Sequence, residues 1–332
     1  MDDEKRKGFA SFLKEVPPVD FCCVYGSTLH PNNQDEGSMV DYILGVSDPL
    51  KWHSENFKLN GDHYSMWIRY LGGAKMLTEI ADEIGVGVHF NPFVSWNGKM
   101  IKYGVIRMND LINDVLNWER LYLSGRLQKP VNVLLDNLDI ENVNSANLRA
   151  AVSAALLLLP DCFSEEELYG KICQLSYTGD IRMLFAEDVN KVKKIVQGQF
   201  SLFRSMYMPF LEEYETKNIL RCSSCGGHQG HLSQDLDLSK TGVLVSSLPP
   251  GVRDQLGLKF GAKKRTVKIG QSFPNHTVGS REAVAKCMQS VLRRKVMVSS
   301  TRQAVSGFLV TGGLNAARYV ATKMSKAWIS RT

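Results

Sequence analysis

No window of the 332-residue sequence approaches eighteen uninterrupted apolar residues, so no membrane-spanning helix is expected. The longest apolar run, AAVSAALLLLP at 150–160, is too short to cross a bilayer and is expected to be a buried helix. Cysteines are few and irregular: seven in all, two of them adjacent (Cys22, Cys23), a pattern that argues for reduced thiols over a disulfide framework. The opening MDDEKRKGF lacks an apolar core and carries acids at once, so it reads as neither a secretory signal nor an Arg-rich, acid-poor transit peptide, and targeting is not readable there. Acidic residues are nearly missing from one region. Residues 258–332 hold 15 Lys and Arg against the single acid Glu282, a net of +14, whereas residues 1–257 hold 25 basic and 33 acidic side chains, a net of −8. A cationic segment of this kind favours a polyanion, either nucleic acid or an anionic lipid surface; a solvated basic face is the ordinary alternative.

With 44% hydrophobic residues the chain can bury a large core and has room for two domains. Its first third alternates strand and helix signals: VDFCCVYG, VDYILGV, the amphipathic run MWIRYLGGAKMLTEIADEIG, then GVHFNPFVSW and KMIKYGVI around an Asn97-Gly98 turn. These predict an α/β sheet of four or five strands. NDLINDVLNWERLYLSGRL predicts one helix with Leu111, Ile112, Val115, Leu116 and Leu121 as its apolar positions, closed off by Pro130. From about residue 140 helix follows helix: NSANLRAAVSAALLLLP, then SEEELYGKICQLSY with Ser164 and Glu167 spaced as a capping box, then EDVNKVKKIVQGQFSLFRSMYMPFLEEY. This order fits a winged helix or a small bundle. Residues 216–257, rich in Ser, Gly and Leu, are expected to be a variable connector. Within them Cys222, Cys225, His228 and His231 have zinc-ligand chemistry, but their spacing is too tight for a finger and a variable loop is the preferred reading. In the tail, Val305, Leu309, Ala316, Val320, Met324 and Trp328 can share one helical face, a pattern similar to an interfacial helix; packing on the protein body is the alternative, and glycines 307, 312 and 313 weaken the helix. Trp52, Trp67 and Trp118 are expected in the core.

The strand Val24-Tyr25 stops at Gly26-Ser27, and the next apolar run opens with Asp41. A strand, a Gly-Ser turn, a helix and an acid on the following strand resemble the active-site layout of the DNA polymerase beta-like nucleotidyltransferases. The chemistry explains the parts. Backbone N–H groups at a turn and a Ser hydroxyl can share the charge of a nucleoside triphosphate, while a carboxylate fixes Mg²⁺ beside the α-phosphate for in-line displacement of pyrophosphate. Gly26 lets the backbone approach closely. That superfamily usually carries Asp-x-Asp on the second strand, whereas this chain has Asp41-Tyr42-Ile43, so the second ligand is missing at that position.

Several longer segments occur together: VYGS, MVDYILGV, DPLKWHSENFKLNGDHYS, IKYGVI, LNWERLYLSGRLQKPV and LSYTGDIRMLFAEDVNKV. Their combination resembles the mitochondrial translocator assembly and maintenance family, the soluble-type phosphatidate cytidylyltransferases, densely over 18–215 and more loosely in the basic tail. The resemblance implies a nucleotidyltransferase domain (1–115), a helical winged-helix-type domain (116–215), the connector (216–257) and a basic C-terminal region with an amphipathic membrane-docking helix (258–332). It implies CTP and Mg²⁺ bound between the first two domains, and transfer to phosphatidic acid giving CDP-diacylglycerol and pyrophosphate for cardiolipin synthesis. The implied location is peripheral, at the matrix face of the mitochondrial inner membrane, with no nucleic-acid partner. Gly26 and Ser27 match the family's phosphate-cradling turn and Asp41 its metal-binding acid, with a strand-edge surface carboxylate as the alternative for Asp41. Asp180, after the Tyr-Thr-Gly turn, is the candidate second acid, for Mg²⁺ or for orienting substrate, with helix capping as its rival role. Lys102, Arg126 and Lys129 are candidates for triphosphate and phosphatidate contacts, or for surface ion pairs. His53 and His63 could bind phosphate or shuttle a proton, with a hydrogen-bonded structural histidine as the alternative. No strong general base is needed, because a phosphatidate oxygen is already anionic at neutral pH. Two other readings are a CCA-adding or poly(A)-type RNA nucleotidyltransferase, which would be expected to carry Asp-x-Asp, and a noncatalytic matrix-side factor supporting protein import.

Overall fold

The computed structural model describes residues 3–26, 29, 39–185, 190–223, 230–259 and 280–311. Ser27, Cys225, His228 and the tail beyond Thr311, with Ala316, Val320, Met324 and Trp328, lie outside the described residues. Among the described residues eight strands run in chain order: β1 Phe21–Tyr25, β2 Val40–Val46, β3 Val88–Trp96, β4 Lys99–Arg107, β5 Asn132–Asp136, β6 Cys162–Ser164, β7 Leu220–Ser223 and β8 His231–Gln234. The helices of the first half are α1 Asp3–Ala10, α2 Pro49–Leu59, α3 Met66–Leu71, α4 Gly73–Glu79, α5 Met108–Asn117 and α6 Ser124–Leu127. Those of the second half are α7 Ile140–Leu158, α8 Glu165–Leu175, α9 Arg182–Phe185, α10 Lys191–Gly198, α11 Phe200–Thr216, α12 Leu238–Ser246, α13 Pro250–Lys259 and α14 Arg281–Thr311.

The first five strands form one mixed sheet in the order β3-β4-β2-β1-β5, in which only β2 and β4 run parallel. The α/β expectation with four or five strands therefore holds. Asn97 (φ 47) and Gly98 (φ 73) both take left-handed conformations between β3 and β4, the two-residue turn that suits the twist of a hairpin. Alternation along the strands divides the core in two. Tyr42, Leu44, Tyr103 and Val105 face Phe12 and Trp52 on one side; Ile43 and Ile106 face Leu111, Val115 and Leu127 on the other. Fully burying an aliphatic or aromatic side chain contributes about 1.5–3 kcal/mol, so both sheet faces add to the stability of the first half.

The second half is helical around a three-stranded antiparallel sheet, β6-β8-β7. Helix α7 is buried from Ala150 to Leu157, as expected for an apolar run too short to span a bilayer, and no described helix is long and apolar enough to cross a membrane. Ser164 and Glu167 form the capping box that opens α8: Glu167 N–H donates to Ser164 Oγ, and Ser164 N–H to Glu167 Oε2. Trp52 and Trp118 are core residues, and Trp67 is packed against the core.

Three expectations change. The described part of 216–257, expected as a variable connector, is packed: Leu220, Leu232, Leu244, Val245, Leu248, Val252 and Leu256 are buried in the core of the helical half. The tail is likewise joined to the body from Arg281 to Thr311. Helix α14 buries Val284, Met288, Val291, Leu292 and Val296 in the helical half and, at its far end, Val310 beside Ile68, Leu77 and Ile80 of the first half. Third, the single helix expected over 109–127 is broken. Helix α5 stops at Trp118, which turns left-handed (φ 48), because the Asp114 carboxylate accepts the N–H groups of Arg120, Leu121, Tyr122, Leu123 and Ser124 at 2.8–3.1 Å. Asn147 of α7 holds the same segment by accepting from Trp118 Nε1 and Gln128 Nε2 and donating to Ser124 O.

Replacing Asp114 by Ala removes the acceptor for five backbone donors. Orphaned buried donors cost about 1–3 kcal/mol each before relaxation and water entry, so a total loss of roughly 3–5 kcal/mol and a melting point lower by roughly 10 °C are expected. A variant melting within about 2 °C of the parent by differential scanning calorimetry contradicts this role.

Candidate active site

Strand register puts the sequence candidates side by side. Tyr25 at the end of β1 pairs with Asp41 at the start of β2, and Asp41 pairs with Lys102 on β4. Gly26 follows Tyr25 with φ +97, and a Cβ there would lie 3.2 Å from Asp41 Oδ2. Glycine therefore serves twice at this turn, by adopting the left-handed backbone and by leaving the carboxylate uncovered. Leu29 N–H donates back to Gly26 O at 3.2 Å. Ile43, where an Asp-x-Asp pattern would put a second carboxylate on the same face, is buried in the core.

From Asp41 a run of cations on aromatic faces leads away. Lys102 Nζ lies 3.6 Å from Asp41 Oδ1 and 4.5 Å from the centre of the Phe90 ring. Gly104 has no side chain because the Phe90 ring occupies that space. The Arg126 guanidinium sits 4.5 Å from the Tyr122 ring, 5.1 Å from Tyr25 and 5.8 Å from Phe90. Its Nη2 donates to Tyr122 Oη at 2.9 Å, while its buried Nε has no hydrogen-bond partner among the described residues. Arg182 lies 6.0 Å from the centre of the Tyr122 ring, and Lys129 and Lys191 lie 4.9 and 5.3 Å from that of Tyr177. Each cation–aromatic contact is worth about 0.5–2 kcal/mol and leaves most N–H donors unspent. Five cations against Asp41 and Asp180 give these seven groups a net +3.

Asp180 is buried and grips Arg182. Its carboxylate accepts Nε and Nη2 of that guanidinium at 2.5–3.1 Å, and it also accepts the backbone N–H of Arg182 at 2.9 Å, capping the start of α9. The structure thus gives Asp180 a capping and orienting geometry. Lys129 donates to Gly125 O and Ser176 Oγ, tying α6 to the end of α8. Burial pushes the Lys129 ammonium below its ordinary value. Burial would raise the Tyr122 hydroxyl, but the charges of Arg126, Arg182 and Lys102 outweigh it and hold Tyr122 below its ordinary value.

His53 and His63 are not brought to Asp41. They bond through Nδ1 to Tyr64 Oη and Tyr103 Oη, both at 2.9 Å, and Tyr103 alternates with Lys102 on β4, so this network lies on the opposite sheet face. Burial depresses His53 and His63, and pushes the neighbouring His89 down to about 4. Tyr25, Phe90, Tyr122, Tyr177, Arg182 and Lys191 are the site residues that sequence reasoning missed. One usable signal was the Tyr122–Arg126 spacing of four; another was the Asp180-Ile181-Arg182 sequence.

The donors suit a hard divalent cation that arrives with phosphates. Asp41 is a single carboxylate beside an open turn, no described group of three or more His, Cys, Asp or Glu could hold a metal, and Mg²⁺ is commonly bound by one or two carboxylates with the substrate's phosphates and water. Cys222 and His231 occupy facing strands β7 and β8, and Cys225 and His228, the other members of that cluster, lie outside the described residues.

A family model described as phosphatidate cytidylyltransferase, mitochondrial, matches residues 9–326. The chain belongs to the mitochondrial phosphatidate cytidylyltransferase family. The Mus musculus member is 33% identical over 328 residues, covering 97% of this chain and 94% of its own length. The Homo sapiens member is 35% identical over 313 residues, covering 92% and 67%. The Schizosaccharomyces pombe member is 32% identical over 326 residues, covering 95% and 81%. Asp41, the aromatic-walled cations and the described part of α14 all fall inside the family's matched span.

The histidine network carries a pH prediction. With folded values below the unfolded value of about 6.5, the unfolded chain binds more protons, so stability is complete above that pH and is lost as pH falls toward about 4. The slope approaches about 1.4 kcal/mol per pH unit for each fully neutral buried histidine. Chemical denaturation at pH 7 and pH 5 is expected to show a smaller difference for His89→Gln than for the parent; equal differences refute the assignment.

Proposed function

We infer that this chain, as a member of its family, transfers the cytidylyl group of CTP to phosphatidate, giving CDP-diacylglycerol and pyrophosphate. The observation that carries the reading at residue level is the junction of Asp41 and Gly26 with a half-buried, cationic, aromatic-walled surface that has no carboxylate at Arg126 among the described residues. We read the first half as a nucleotidyltransferase-type domain and the helical half with its small sheet as winged-helix-like, with CTP between them.

A phosphatidate oxygen attacks the α-phosphorus of CTP, the bond from that phosphorus to the bridging oxygen breaks, and pyrophosphate leaves with the electron pair. The nucleophile is already an anion, so no side chain has to remove a proton, and the remote placement of His53 and His63 is compatible with the chemistry. Asp41 would hold Mg²⁺, which when bound neutralises phosphate charge beside the reacting phosphorus. Lys102 and Arg126, nearest Asp41, would take the triphosphate and stabilise the departing pyrophosphate. Arg182, oriented by Asp180, and the lysines beside Tyr177 lie farther along and suit the second phosphoryl group, that of phosphatidate. Gly26 keeps the approach to Asp41 clear, and Ser27 would add a hydroxyl at the same turn.

Phosphatidate is a bilayer lipid, so the catalyst must meet it at a surface. The +14 region from 258 onward would supply attraction to an anionic membrane at about 1 kcal/mol per engaged basic residue. Relatives named mitochondrial support that organelle; peripheral binding at the matrix face of the inner membrane, and supply of cardiolipin and phosphatidylglycerol synthesis, complete the proposal.

The test incubates purified protein with labelled CTP, Mg²⁺ and phosphatidate vesicles, with tRNA in parallel. Lipid-linked label is expected, falling at least about 100-fold in Asp41→Ala; label on RNA, or no turnover by the parent, would sink the reading. In Arg126→Lys, kcat/KM for CTP is expected to fall about 10- to 100-fold, because an ammonium cannot reproduce the guanidinium's fork. Unchanged CTP kinetics would remove Arg126 from the site.

A further inference from the structure

Helix α3 is inverted for a surface helix. It buries Ile68 completely against Tyr64, Leu77, Ile80 and Val310, yet it exposes Met66 by 70%, Tyr70 by 77% and Leu71 by 76%. Leu59, at the end of α2, adds a fourth large apolar side chain at 66% exposure. Isolated exposed apolar residues are ordinary, but four within the span 59–71, two of them an i,i+4 pair on one helix face, are not. Within that span the charges of Asp62 and Arg69 cancel; Lys58 precedes it, and Lys75 beyond it is paired with Glu79 at 3.9 Å.

The position of this face says what covers it. Ser65 Oγ and Trp67 Nε1, at the start of α3, both donate to Val310 O in the last turn of α14, at 2.5 and 3.0 Å. That turn itself exposes Phe308 by 57%. The chain beyond it, residues 312–332, carries Arg318, Lys323, Lys326 and Arg331 and no acid. Apolar anchors, a tyrosine and the root of a cationic segment therefore meet at one place. That combination matches the interface of an anionic bilayer, where apolar side chains enter the acyl boundary, Tyr sits at headgroup level and Lys and Arg meet lipid phosphates.

We propose that α3, through Met66, Tyr70 and Leu71, inserts into the interface of a phosphatidate-containing bilayer and so fixes how the enzyme sits on the membrane that holds its substrate. The inference rests on the proposed use of a bilayer lipid, and it locates the contact in an element that the basic tail does not include. Electrostatics brings the protein to the surface; α3 holds it there.

The test uses the full chain and phosphatidylcholine vesicles with and without phosphatidate. In Met66→Asp/Tyr70→Asp, partitioning onto phosphatidate vesicles is expected to fall at least about tenfold, since two apolar anchors are withdrawn, and in Tyr70→Trp it is expected to rise. Binding of CTP with Mg²⁺, and turnover of a short-chain phosphatidate dispersed in water, are expected to match the parent. Should the double variant melt lower than the parent, Tyr70→Ser alone is expected to weaken partitioning at an unchanged melting point. Parental partitioning in these variants overturns the proposal, as does failure of the parent to bind vesicles. A shift from dimer to monomer with unchanged partitioning also overturns it, assigning the face to a second copy. A parent that binds vesicles but makes no lipid product sinks the cytidylyltransferase reading and leaves the docking surface standing.

Discussion

The carboxylate of Asp114 decides where the cationic side of the site can be. Left to its apolar spacing, the segment from Asn109 to Leu127 would continue as one helix and carry Tyr122 and Arg126 round with it. Asp114 instead gathers five consecutive backbone N–H groups, from Arg120 to Ser124, and the chain leaves the helix at Trp118 in a left-handed turn. A buried carboxylate needs several donors to offset its lost hydration, and here the donors are the backbone of the loop itself. The same event sets Tyr122 and Arg126 over Phe90 and Tyr25 at the end of the sheet. Asn147 then locks the segment from the helical half, so the site is held by both halves of the molecule.

That placement explains why aromatic rings rather than carboxylates surround Arg126. A guanidinium paired with a carboxylate is neutralised and its fork is used up. One laid against ring faces keeps its charge and its donors, at the cost of poorer solvation. The depressed hydroxyl of Tyr122 registers the positive field of Arg126, Arg182 and Lys102, which outweighs both its burial and the charge of Asp180. A surface of this kind is unfavourable for the empty protein and favourable for a polyphosphate. Arg182 differs, because Asp180 fixes its orientation, and Lys129 differs again, because it ties Gly125 and Ser176 together. Helix α14, about 46 Å long at 1.5 Å per residue, crosses from one half to the other and meets the chain next to these residues. A Cβ on Gly179, just before Asp180, would lie 2.7 Å from Arg293 O.

Much of the frame was legible in the sequence because it rests on local rules. Short apolar runs located β1 and β2, Asn97-Gly98 marked the hairpin, and Ser164 with Glu167 marked the start of α8. The meeting of Gly26, Asp41 and Lys102 was half legible: the residues were singled out, but their adjacency comes from the β1–β2–β4 pairing. What stayed hidden depends on distant partners. Nothing near Asp114 in the sequence announces that it will break a helix, and nothing near Leu244 or Leu256 shows that a Ser- and Gly-rich region will supply core. His53 and His63 were attractive as residue types, yet strand alternation turns their network away from Asp41. Long segments shared with a known family carried the chemical identity, which no single short motif could.

In the proposed mechanism one nucleotide bridges the Asp41 turn and the cations set by the Asp114 loop. A crystal structure of the complex with CTP and Mg²⁺ tests it most directly. The metal is expected on the Asp41 carboxylate, with phosphate oxygens within hydrogen-bond reach of Arg126 and Lys102. Phosphates bound elsewhere, with Asp41 still paired only to Lys102, would contradict it.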